Sequence, residues 1–80
     1  MKIKFMLIPK LEKLWNMIHE SNGNVYLELS ETQYLDLKKE KSAYEQFKKE
    51  VEKNQGIKLF LSDSKDHQSF LNYMVGAAYD

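Results

Sequence analysis

Cysteine is absent from this 80-residue chain, and all twelve of its basic residues are lysine, with no arginine. Without thiols there is no disulfide framework, thiolate zinc site or iron–sulfur ligation, and a cytoplasmic setting is expected. Without guanidinium, the group that grips phosphate or guanine bidentately is missing. Glycine occurs only at Gly23, Gly56 and Gly76, too widely spaced for a phosphate-cradling loop. No serine stands in a local pattern with a base, so nothing points to nucleophilic hydrolysis. The twelve lysines are balanced by twelve acidic residues, so no net field draws in nucleic acid or an anionic membrane. Long apolar runs are also missing. Met1 to Ile8 is interrupted by Lys2 and Lys4 and closed by Pro9, too short for a signal core or a membrane span. The expectation is therefore a non-enzyme without cofactor or metal, and without nucleic-acid or membrane partners.

What is present is enough apolar content for a core, 42% of residues, with 30% charged, which fits one folded domain over residues 1–80. Residues 2–8 alternate, with Ile3, Phe5 and Leu7 on one face, and predict a first strand. Pro9 suits a helix start, and Leu11, Leu14, Trp15 and Ile18 fall on one helical face, with Ser21-Asn22-Gly23-Asn24 as its stop. Val25, Leu27 and Leu29 alternate as a second strand. Ser30-Glu31-Thr32-Gln33 matches a capping box that would open one long helix to Lys53, but Tyr34-Leu35-Asp36-Leu37 alternates at period two. A hairpin with a third strand over 33–37 is favoured, with Asp36 pointing outward. A helix over about 41–53 follows, with Ala43, Tyr44, Phe47 and Val51 apolar. Ile57, Leu59 and Leu61 mark a fourth strand. Ser62-Asp63-Ser64 offers cap oxygens to a last helix that buries Phe70, Leu71, Met74, Ala77 and Ala78, with Asp66 in its acidic first turn.

The order βαββαβα describes an α/β (α+β) open-faced two-layer sandwich, a four-stranded antiparallel sheet with three helices. From Asn24 onward the chain resembles HPr, the phosphocarrier family of the bacterial sugar phosphotransferase system. The resemblance lies in Asn24-Val25-Tyr26-Leu27-Glu28-Leu29, in Tyr34-Leu35-Asp36-Leu37-Lys38, and in Ile57 to Asp63 leading into Lys65-Asp66-His67. It implies an HPr-like fold; a ferredoxin-like fold is the alternative, and a third helix after the fourth strand favours the former. The family's phosphorylatable histidine and its neighbouring arginine would stand at the start of the first helix, where Ile8-Pro9-Lys10-Leu11-Glu12 has neither. A regulatory serine of Gram-positive members would fall near Ser42.

Four further features invite a chemical reading. His67 with Asp63 and Asp66 forms a carboxylate–imidazole group of the kind that ligates metals or runs acid–base steps, although capping already accounts for the aspartates. His19 is expected simply to face the carbonyls ending its helix. Lys38-Lys39-Glu40-Lys41 and Lys48-Lys49 form a basic run, expected to be a solvated face with interspersed glutamates. The sheet face opposite the helices is expected to carry Met6, Ile8, Tyr26, Tyr34 and Phe60, more apolar surface than an ordinary solvated face shows. These readings lead to a small HPr-like module without phosphocarrier residues that binds another protein, or itself, through the open sheet face. The alternatives are phosphate transfer through Ser42 or His67, or an unrelated task in a phage or mobile element.

Overall fold

A computed structural model describes residues 2–5, 8, 10–39, 42–54 and 56–79, the side chains of 54 and 76–79 excepted. The elements run β1 (Lys2–Phe5), α1 (Leu11–Glu20), β2 (Val25–Glu28), β3 (Tyr34–Asp36), α2 (Ala43–Asn54), β4 (Ile57–Leu61) and α3 (Ser64–Tyr79). The order is βαββαβα. The four strands form one antiparallel sheet in the order β1-β4-β2-β3, and the expected third helix follows β4.

The alternation that places each strand is also what builds the core. Ile3, Phe5, Val25, Leu27, Ile57, Leu59 and Leu61 all point to the helix side and are buried, while Lys2, Lys4, Lys58 and Phe60 point away. Leu14 and Ile18 of α1, Ala43 and Phe47 of α2, and Phe70 of α3 close over that face. Leu29 and Leu35, expected in the core, pack against it while partly buried. Leu7, Met6, Pro9 and the side chains of Ala77 and Ala78 lie outside the described residues. Aromatic rings join the helices: Trp15 stacks near Tyr44 and Phe47 at 5.1 and 5.2 Å, tying α1 to α2. Phe5 meets Phe70 edge-on at 5.9 Å, tying β1 to α3.

The Ser30–Gln33 capping-box sequence forms the hairpin turn. Gln33 N–H returns to Ser30 O at 3.4 Å, and Leu29 N–H reaches Gln33 O at 2.9 Å. The local cap was available, but a helix there would have removed β3 from the sheet edge and left Leu37 without the core position it fills. Asp36 is oriented toward its own turn rather than simply outward: Oδ1 accepts the backbone N–H groups of Lys38 and Lys39 at 3.0 and 3.1 Å. This side chain-to-backbone bonding turns the chain out of β3 toward α2.

The turn from α1 into β2 is held from two sides. Asp66, only 2% exposed in the first turn of α3, accepts the N–H groups of Asn22 at 2.9 Å and Gly23 at 2.8 Å, and the Asn22 amide at 3.3 Å. Lys38 Nζ donates to Ser21 O at 2.7 Å and Gly23 O at 2.8 Å. Lys38 is therefore part of the turn's hydrogen-bond shell and does not belong to the solvated face expected of the lysine run. Gly23 runs so close to the end of β4 that an added Cβ would lie 2.5 Å from Ser62 Oγ and 2.9 Å from Asp63 Cβ. Ser62 Oγ has no freedom to swing aside, because it accepts the Asn24 N–H at 2.7 Å.

Removal of the carboxylate in Asp66→Ala leaves the turn's N–H groups without their acceptor in a buried setting, an effect on the order of 3 kcal/mol. The expected outcome is a clear fall in denaturant midpoint with an unchanged m-value. A shift comparable to that of an exposed control such as Glu52→Ala would show that the turn is held by other means.

Candidate functional site

Three aromatic residues meet on the side of the sheet that no described helix covers. Tyr26 on β2 is the cross-strand partner of Phe60 on β4, and Tyr34 on β3 meets Phe60 edge-on with ring centres 6.2 Å apart. Tyr34 is 45% and Phe60 40% exposed, with Tyr26 half-buried between them. Together they line a shallow depression of about 340 Å³. Strand pleating explains the grouping. Each ring occupies an outward position of its strand, and the register brings outward positions of β4, β2 and β3 side by side.

Of the five residues expected on this face, the structure brings together Tyr26, Tyr34 and Phe60. Ile8 is a correction. It is half-buried and packs against the core, and it lies outside any strand, so period-two alternation does not set its direction. Met6 lies outside the described residues.

Beside the rings sits an ionic group that the one-dimensional pattern did not disclose. Glu28 Oε1 accepts Lys2 Nζ at 2.8 Å, and its Oε2 lies 3.8 Å from Lys58 Nζ. Lys2 belongs to β1 and Glu28 to β2, with β4 between them, so the lysine stem crosses the middle strand to reach the carboxylate. The hydrogen bond from Lys2, helped by the charges of Lys2 and Lys58 and by a hydrogen bond from Tyr34, holds the Glu28 carboxyl below its ordinary value against partial desolvation. The same hydrogen bond raises the Lys2 ammonium. Residues 26 positions apart carry no local signal for this pairing. The only available clue was that Lys2, Lys58 and Glu28 all fall on outward strand positions.

The other candidate residues are placed elsewhere. Asp63 Oδ1 caps α3 by accepting the Lys65 N–H at 2.8 Å, Asp66 serves the α1–β2 turn, and His67 is half-buried in the first turn of α3. Both aspartates are thus committed to backbone N–H groups. Among the described residues no cluster of three or more His, Asp or Glu is arranged to hold a metal ion. His19 is exposed in the last turn of α1, with its ring edge-on to Trp15 at 4.6 Å. Ser42 is exposed immediately before α2, so Ser42 and His67 sit at the starts of different helices. No helix among the described residues is long and apolar enough to cross a membrane.

The Lys2–Glu28 pair sets a pH window. A carboxylate whose folded value is lowered stabilises the fold above its ordinary value of 4.5 and loses that contribution as pH falls through the lower folded value. An ammonium whose folded value is raised contributes below 10.5 and loses it as pH rises through the higher one. Glu28→Gln should therefore melt below the wild type at neutral pH, with the gap closing in acid once Glu28 is protonated in both states. Melting curves that stay parallel down to about pH 2 would contradict this assignment.

The chain matches no family model, no curated protein and no solved structure.

Proposed function

We propose that this chain is a small protein-binding or regulatory module, HPr-like in fold and without the phosphocarrier residues, that meets a protein partner through the open face of its sheet. The observation that carries this reading is the group formed by Tyr26, Tyr34 and Phe60, which leaves two large rings 40–45% exposed on a rigid sheet. Tyrosine and phenylalanine bring large contact area at little cost in side-chain freedom, and such rings commonly act as anchors where proteins meet. The surrounding Lys2, Lys58 and Glu28 give the patch a polar rim.

Two facts favour a protein over a nucleic-acid strand. The chain has no net charge and no arginine, and the Glu28 carboxylate lies beside the rings, where a phosphate backbone would have to pass. The phosphocarrier alternative gains nothing from Pro9-Lys10-Leu11, which offers no histidine at the start of α1. His67 is half-buried, and Ser42 has no catalytic neighbour among the described hydrogen bonds.

A photoreactive phenylalanine analogue at position 60 tests the reading in cells that produce the protein, with the same group at exposed position 52 of α2 as control. The expected result is a protease-sensitive adduct of defined mass from position 60 only, lost when Tyr26 and Tyr34 are changed to serine. No adduct, or one removed by nuclease, overturns it. Incubation with phosphoenolpyruvate and the upstream enzyme of the phosphotransferase system should leave no acid-labile histidine label. Label that disappears in His67→Ala would replace the binding module with the phosphocarrier.

A further inference from the structure

We infer that Asn22-Gly23 is a site of spontaneous deamidation that the closed α1–β2 turn holds shut, with the Asp66 carboxylate as its latch. Of the asparagines in the chain, only Asn22 is followed by glycine. Asparagine is chemically labile, and a following glycine, with no Cβ in the way, leaves its nitrogen freest to approach the side-chain amide. In the reaction the Gly23 nitrogen gives up its proton and bonds to Cγ of Asn22. The Cγ–Nδ2 bond breaks, and Nδ2 leaves as ammonia, taking up one proton. Water then opens the cyclic imide at either carbonyl and gives aspartate or isoaspartate at position 22. Water is the only co-reactant, and nothing is oxidised or reduced.

Asn22 is exposed, so water reaches it, yet the groups that the reaction must move are engaged. The Gly23 N–H donates to Asp66 Oδ2 at 2.8 Å, and Asn22 Nδ2 donates to Asp66 Oδ1 at 3.3 Å. Loss of the Gly23 proton would set an amide anion against a carboxylate that is only 2% exposed, and like charges so shielded from water oppose it. Attack also requires the Asn22–Gly23 peptide plane to turn until its nitrogen faces Cγ. The peptide groups on either side do not allow this. Ser21 O accepts Lys38 Nζ at 2.7 Å, while the Asn22 N–H is held by Asp66 at 2.9 Å. Gly23 O accepts Lys38 Nζ at 2.8 Å, while the Asn24 N–H is held by Ser62 Oγ at 2.7 Å. Three consecutive peptide groups are thus pinned, and the site reacts only when the turn leaves Asp66.

The modification runs one way. An acid at position 22 places an anionic oxygen where Nδ2 now donates to Asp66, so a hydrogen bond becomes a contact of like charges. Isoaspartate also adds a methylene to the backbone of a turn in which a Cβ on Gly23 would already lie 2.5 Å from Ser62 Oγ. The turn that protects the site does not close again around the product, so the chain keeps a covalent record of having opened.

Incubation of the full chain in mildly alkaline buffer, with and without concentrated urea, tests this. Conversion at position 22 is followed by peptide mass mapping, and isoaspartate is identified by enzymatic methylation. Conversion in buffer should be at least about tenfold slower than in urea, because only the open turn reacts. Asp66→Ala, at a temperature where circular dichroism shows it folded, should raise the rate in buffer toward that in urea. Phe47→Leu, which weakens the core away from the turn, should stay slow while folded. Chain converted in urea and returned to buffer should melt below unconverted chain treated in the same way. Equal rates with and without urea overturn the inference, as does an Asp66→Ala chain that converts no faster than Phe47→Leu. Where Asp66→Ala does not fold, Asp66→Asn takes its place, keeping the shape without the charge, and must also outpace Phe47→Leu. Converted chain that regains the full melting temperature overturns the one-way step.

Discussion

The carboxylate of Asp66 is the point on which the packing of this small molecule turns. It is buried at the head of α3 and receives the N–H groups of Asn22 and Gly23, joining the last element to the turn between the first helix and β2. A buried carboxylate is costly unless hydrogen bonds replace its water, and here it is matched to N–H groups that a tight turn would otherwise leave unsatisfied. Lys38 does the complementary work on the carbonyl side of the same turn. Donors and acceptors of one short segment are thus satisfied by side chains from two distant parts of the chain. Gly23 permits this approach because a larger residue would collide with Ser62 and Asp63.

From that anchor the two faces of the sheet acquire opposite characters. The helix side is filled by aliphatic side chains and by the rings of Phe5, Phe47 and Phe70, all essentially inaccessible to water. The other side is a mosaic in which Glu28 bridges lysines from two strands while the rings of Tyr26, Tyr34 and Phe60 gather beside it. An ion pair on such a surface contributes little to stability by itself. Its geometric effect is greater, since it draws the Lys2 stem across β4 and gathers the charges of Lys2, Lys58 and Glu28 into one group beside the rings.

Strand alternation is legible in the chain because one face of every strand is buried. Ile3 and Phe5, Val25 and Leu27, and Ile57, Leu59 and Leu61 are spaced at period two for that reason alone. The aromatic group followed from the same argument, since whatever alternates with a buried residue must face outward. The argument failed at Ile8, which lies outside any strand and packs against the core, so alternation carried no meaning there. It was also silent on Asp66 and Lys38. A first-turn aspartate reads as a favourable helix charge, and a lysine in a lysine run reads as solvated surface, because the partners of both lie in a turn 15 to 44 residues away.

By itself, then, the sequence determines the order βαββαβα, the identity of the core-facing side chains and the presence of aromatic residues on the opposite face, all consequences of local periodicity. Tertiary structure alone decided the strand order β1-β4-β2-β3, and with it which outward residues become neighbours. Placing β4 between β1 and β2 is what lets Lys2 reach Glu28 and puts Phe60 beside Tyr26. Such adjacency depends on which strands pair across long connections, a choice made by the packing of helices over the whole sheet, and no local pattern of residues encodes it.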